Sequence, residues 1–185
     1  GVYPSAVGIN VDDGGGIIAH NLIHDVAESG IYARHWATDH QPLGRINQEE
    51  GLIIEYNEIY DVMAPINDGA GIFVRDSDMI VRNNLIHDVW DWAEGYGAGG
   101  IYPDEGSSQI VIENNVVYRT ASGGLTVHYG REDIARNNIF AFGRDTQIHL
   151  GRRDKQSSLT LDHNIVYYDE GALFQRESDL VSDYN

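Results

Sequence analysis

The chain has 185 residues, 42% of them hydrophobic, which is ample for one domain with a full core and too much for a disordered segment. A net charge of −17 argues against a nucleic-acid partner, because phosphate binding needs clustered Lys and Arg, and no apolar run is long enough to span a bilayer. With no Cys there are no disulfides, thiolate metal sites or cysteine nucleophiles, and the composition leans toward an exported protein, secreted or periplasmic.

In chain order, one phrase recurs: an apolar pair, polar residues, Asn, a second apolar run and a polar turn. It runs Ile17 to Asp25, Leu52 to Asp61, Ile80 to Asp88, Ile110 to Thr120, Ile134 to Phe142 and Leu159 to Asp169. Anchored on Asn21, Asn57, Asn84, Asn115, Asn138 and Asn164, successive copies lie 23 to 36 residues apart. A second phrase follows each Asn: SGIYAR from Ser29, AGIFVR from Ala70, GGIYPDE from Gly99, GGLTVHYG from Gly123, TQIHLGR from Thr146 and GALFQR from Gly171.

Both phrases alternate with period two, and no segment keeps a helical period. Short strands on a variable repeat near 25 residues predict an all-β fold, a right-handed parallel β-helix of about six coils. In such a solenoid equivalent residues stack ~4.8 Å apart, so the Asn column can bond from coil to coil at a turn that no strand ladder satisfies. Residues 1–185 read as one domain. Gly1 to Asp13 and Glu177 to Asn185 are too slight to cap it, so the natural protein is expected to be longer at both ends.

The inward column of the second phrase reads Ile31, Ile72, Ile101, Leu125, Ile148 and Leu173. One residue later the outward column is Tyr32, Phe73, Tyr102, Thr126, His149 and Phe174. Two further on it is Arg34, Arg75, Asp104, His128, Gly151 and Arg176. Arg75, Asp104 and His128 are therefore expected as neighbours on one outer face, beside an aromatic row. Aromatic faces with carboxylates, His and Arg suit a sugar polymer.

Asp104, Glu105, Asp76 and His128 are the candidate catalytic residues. Arg75, Tyr102, Tyr129, His149, Trp90, Trp92 and Arg131 are the candidate substrate contacts. The insertions Trp36 to Glu50, Met63 to Gly69 and Trp90 to Gly99 are expected to wall a cleft beside them. A lone outward charge on a solenoid is ordinarily just solvated. The group of Asp104, Glu105 and His128 stands apart because GGIYPDEGSS and GGLTVHYG depart from the other coils. His24–Asp25, Tyr60–Asp61 and His87–Asp88 repeat at one position and read as turn residues. Asp12–Asp13 and Asn67–Asp68 offer hard oxygen donors for Ca²⁺ but lack a ligand-loop spacing, and no other cofactor is expected.

The Asn-centred coils resemble the right-handed parallel β-helix superfamily of pectate lyases, alginate-type epimerases and β-helical glycoside hydrolases. The stretch Gly97 to Gly143 is similar to bacterial β-helix proteins near the glycoside hydrolases that include α-L-fucosidases and xylanases. That resemblance implies hydrolysis of a plant or algal polysaccharide, with Asp104 as an acidic catalytic residue. The Asp-Pro-His-Asp motif of the epimerases is absent, as is the basic, Ca²⁺-binding cluster of a pectate lyase.

Three functions follow. In a glycoside hydrolase, Asp104 would be acid or nucleophile, with Asp76 or Glu105 its partner and His128 and Arg75 orienting substrate. In a uronate lyase or C5-epimerase, His128 or Tyr129 would take the C5 proton while Arg75 or Arg131 neutralises the carboxylate. A non-catalytic solenoid would only bind or assemble.

Overall fold

The computed structural model describes residues 6–12, 15–34, 51–92, 95–152, 159–175 and 180–185. Twenty short strands form three parallel sheets. The first sheet stacks β1 (Ile9–Asp12), β4 (Ile31–Arg34), β7 (Gly69–Arg75), β10 (Ala98–Pro103), β13 (Leu125–His128), β16 (Thr146–Arg152) and β19 (Ala172–Gln175). The second stacks β2 (Gly16–Ala19), β5 (Leu52–Glu55), β8 (Ile80–Arg82), β11 (Val111–Glu113), β14 (Asp133–Arg136), β17 (Leu159–Asp162) and β20 (Leu180–Asp183). The third stacks β3 (Leu22–Val26), β6 (Glu58–Val62), β9 (Leu85–Val89), β12 (Val116–Thr120), β15 (Ile139–Ala141) and β18 (Ile165–Tyr167). Each coil takes one strand from the second, third and first sheets in turn, so the expected all-β solenoid is the observed architecture.

Each coil thus holds three strands, and the Asn phrase is two of them bent around a corner. At that corner Asn57 Oδ1 accepts both the backbone N–H (3.1 Å) and the Nδ2 (2.9 Å) of Asn21. The pattern repeats through Asn84, Asn115, Asn138 and Asn164. Asn185 adds a seventh rung, its Oδ1 accepting from Asn164. The left-handed backbone falls on the residue before each ladder Asn rather than on the Asn itself: His20, Tyr56, Asn83, Asn114, Asn137, His163 and Tyr184 all have φ between 51° and 58°. The ladder Asn supplies its amide, and its predecessor supplies the turn.

Inside, β-branched and Leu side chains stack in columns, with Ile54, Ile72, Ile86, Ile101, Ile112, Leu125 and Ile148 fully buried. At ~25 cal/mol per Å² of apolar surface removed from water, these columns supply the main driving force for folding. The expected inward column holds through Ile148, but its last member is Phe174. Ile148 pairs with Phe174, which packs on the core, because β19 begins at Ala172 opposite Thr146. Gly171, with φ of 72°, is a turn residue outside the strand, so matching it to the glycines of earlier coils shifts the register by one. The first and last described segments are rungs rather than loose ends: β1 pairs with β4, and β20 with β17. Asp25, Asp61 and Asp88, expected in turns, lie instead inside β3, β6 and β9, where each takes a positive φ.

Candidate active site

The outer face of the first sheet carries the candidate residues. Strand pairing aligns Tyr32 with Phe73 and Phe73 with Tyr102, and it aligns Thr126 with His149. The rings of Tyr32 and Phe73 stack 5.0 Å apart, and Tyr102 meets Phe73 edge-on at 4.9 Å. Although they point outward, Phe73, Tyr102 and Thr126 are buried. They form a covered floor rather than an open aromatic platform.

Just past β10, the Asp104 N–H donates to Val74 O at 2.8 Å, which carries the strand alignment on to Asp104. Its carboxylate lies 2.7 Å from Nδ1 of His128 on the next coil. The Tyr102 ring ends near the same carboxylate. Burial, with the charges of Asp104 and Asp68 behind it, drives the Tyr102 pKa far above its ordinary value, so this phenol stays neutral. Asp104 is almost wholly buried, and His128 keeps part of its ring exposed. Because Nδ1 is engaged by Asp104, Nε2 is the nitrogen left to meet a substrate.

Asp68, expected from the sequence only as an oxygen donor for Ca²⁺, joins this group. Asp68 precedes β7 with φ of 67°, and its N–H donates to Gly97 O at 2.8 Å, tying two stacked loops together. Its side chain is exposed, yet loss of part of its hydration raises its pKa. The Asp104 charge pushes the same way, and His128 and Arg75 offset part of the rise. The only sequence signal is an Asp-Gly pair at the lip of an insertion, which by itself says turn.

The other candidates divide. Arg75 forms an ion pair with Glu105, both partly exposed, so it neutralises that carboxylate beside the site. Asp76 is committed to its turn: its carboxylate accepts the Ser77 N–H at 2.7 Å, and its own N–H donates to Ser107 Oγ. Tyr129 packs edge-on against His128 at 4.7 Å. Arg131 sits in the turn after β13, where its carbonyl accepts the Gln109 N–H and its side chain is exposed. Trp90 turns toward the third sheet and donates from Nε1 to Asp61 at 3.3 Å. Residues 35–50, which include Trp36, lie outside the described residues.

Beside this group the described ends of the β9–β10 connection help to line a groove of about 610 Å³, with Asp91, Trp92, Tyr96, Arg144, His149 and Gln175 among its lining residues. Gly97, with φ of 82°, lets that connection lie against Ser122, where a Cβ would come within 2.7 Å. Trp92 and Tyr96 are 76% and 72% exposed, far more than a packing role requires. Of the residues expected at the cleft, Trp92, Tyr96 and His149 line this groove, and Arg144 joins them.

Among the described residues no cluster of three or more His, Asp or Glu side chains is placed to hold a metal ion. Asp12 instead pairs with Arg34 and accepts from Asn10, and Asp13 lies outside the described residues. Comparison with curated proteins and with solved structures returns no match. The family model described as "Right handed beta helix region" matches residues 7–179. With that match and three parallel sheets wound coil on coil, the chain belongs to the right-handed β-helix family.

Proposed function

We propose that the chain is a glycoside hydrolase acting on a neutral plant or algal polysaccharide outside the cytoplasm. The observation that carries this reading is a pair of carboxyl groups in unlike surroundings on one outer face. Asp104 is nearly buried and held against His128, whereas Asp68 is open to solvent with a raised pKa. A carboxyl group with a raised pKa, beside a carboxylate that orients an imidazole, suits acid–base cleavage of a glycosidic bond.

In this reading Asp68 gives its proton to the glycosidic oxygen as the bond from that oxygen to the anomeric carbon breaks. Water adds to the anomeric carbon, and its proton passes to Nε2 of His128, whose imidazolium is stabilised by Asp104. Asp68 then regains a proton from solvent and His128 releases one, so the cycle closes. Asp104 brings a negative charge to the site, and Arg75 is held by Glu105. That balance favours a neutral polymer over a uronate.

The test is release of reducing ends from neutral polysaccharides, by the wild type and by Asp68→Asn and Asp104→Asn. Release by the wild type and loss in both variants, with melting temperatures retained, supports the reading. Full activity in either variant overturns it.

One observation favours a second reading. The bond from Asp104 to Nδ1 of His128 would also prepare Nε2 to take a C5 proton from a uronate. An ultraviolet-absorbing unsaturated product, or inverted uronate, would select it.

A further inference from the structure

The groove lined by Asp91, Trp92, Tyr96 and Arg144 has no part in the proton transfers above, yet it is built with more care than a surface loop needs. Arg144 reaches from the turn before β16 and donates to both oxygens of Asp91, at 2.9 and 3.1 Å. It also donates to both oxygens of Asp145, at 2.9 and 3.2 Å. Asp145 and Asp91 together raise the pKa of the guanidinium, and the Asp91 side chain is nearly buried. This double fork fastens the root of the loop to a coil two rungs further along the solenoid. Trp92 follows directly and stands 76% exposed, with Tyr96 at 72%. His149 and Gln175 line the groove from the outer face of β16 and β19.

We propose that this groove is a sugar-binding subsite for a neutral oligosaccharide running along the solenoid axis, displaced from Asp104 toward β19. The proposal rests on the reading of the chain as a hydrolase and extends it to the shape of the substrate. Large aromatic faces left in water bind the apolar faces of sugar rings, while Asp145, His149 and Gln175 suit hydroxyl groups. A groove of about 610 Å³ is of ligand size. From the rung of Asp104 to that of His149 is two steps, ~10 Å at the usual strand spacing, which is comparable with about two hexose units. The shortest good substrate therefore has at least three rings, one at the carboxyl pair and the rest over Trp92 and Tyr96.

The experiment is isothermal titration of the whole chain with cello-, xylo-, manno- and laminari-oligosaccharides of two to six units. It is run on the wild type, on Trp92→Ala, on Tyr96→Ala, and on Trp90→Ala as a control for the fold of the loop. The expected result is binding of at least one series that strengthens beyond two units. Each of Trp92→Ala and Tyr96→Ala then weakens it about tenfold, and Trp90→Ala leaves it unchanged. The proposal is overturned if the wild type binds none of the series, or if the Trp92 and Tyr96 variants bind as tightly as the wild type. Reducing-end release is read separately on the same samples. Trp92-dependent binding without release sinks the hydrolase and keeps the subsite. Release with unchanged affinity in the Trp92 variant does the reverse.

Discussion

Asp104 Oδ1 and His128 Nδ1 lie 2.7 Å apart although 24 residues separate them in sequence, because each follows the same inward column on successive coils. The carboxylate is nearly buried and fixes which imidazole nitrogen faces outward. Asp104→Asn keeps the size and one acceptor, but it removes the charge that stabilises a protonated ring. Turnover on a neutral polysaccharide is expected to fall by about 10³-fold, with a comparable loss in His128→Ala. A double variant no worse than either single one would show that the two act as a unit, and steady-state kinetics of all three checks it.

The raised pKa of Asp68 sets the direction of a pH effect. As general acid, Asp68 works while protonated, so kcat/KM falls as pH rises through its raised pKa, on the alkaline limb of the profile. Arg75 is one of the charges that holds this pKa down. Arg75→Met removes that charge and frees Glu105, so the limb is expected to move to higher pH. A pH–rate profile of wild type and variant tests this, and movement to lower pH would remove Asp68 as the acid.

The solenoid was legible because its determinants are columnar: an Asn on every coil and an alternating inward row repeat in sequence as they do in space. The Asp104–His128 pair was legible for the same reason, as members of one outward column. Asp68 was not, because it lies in an insertion, where no neighbouring coil supplies a register. Its environment is made by Gly97 and Asp104, 29 and 36 residues away. Arg144 escaped likewise, whereas Tyr96 is legible as an aromatic of a cleft-walling insertion. The groove they line is defined by a loop folded onto a coil two rungs away, a contact between residues 91 and 144 that carries no period.

The ladder position matters more inside than at its ends. Asn115 accepts two hydrogen bonds from Asn84 and donates from Nδ2 to Val81 O and Asn138 Oδ1, all in a buried corner. Asn115→Ala leaves those groups without partners and is expected to cost about 3 kcal/mol. Asn185→Ala, on the exposed last rung, is expected to cost about 1 kcal/mol or less. Urea unfolding of the two variants measures the difference, and equal costs would mean that the ladder's burial is not what stabilises it.

Asp133 presents the opposite case, a carboxyl set into an otherwise apolar column. It pairs in register with Leu159 and lies over Ile110, whose N–H donates to Oδ1 at 3.0 Å, while Oδ2 is buried with no partner. Burial raises its pKa well above the ordinary value, and the Ile110 bond offsets only part of that. The folded chain therefore holds this proton at pH values where the unfolded chain has released it. Stability from this group is complete below about pH 4 and declines as pH rises toward the folded-state pKa. Asp133→Asn keeps an oxygen for the Ile110 N–H and has nothing to ionise. Relative to the wild type, the variant is expected to gain stability steadily as pH is raised from about 4 toward neutrality. Urea unfolding across that range tests the point: parallel pH profiles for the two proteins would show that Asp133 titrates normally in the folded chain.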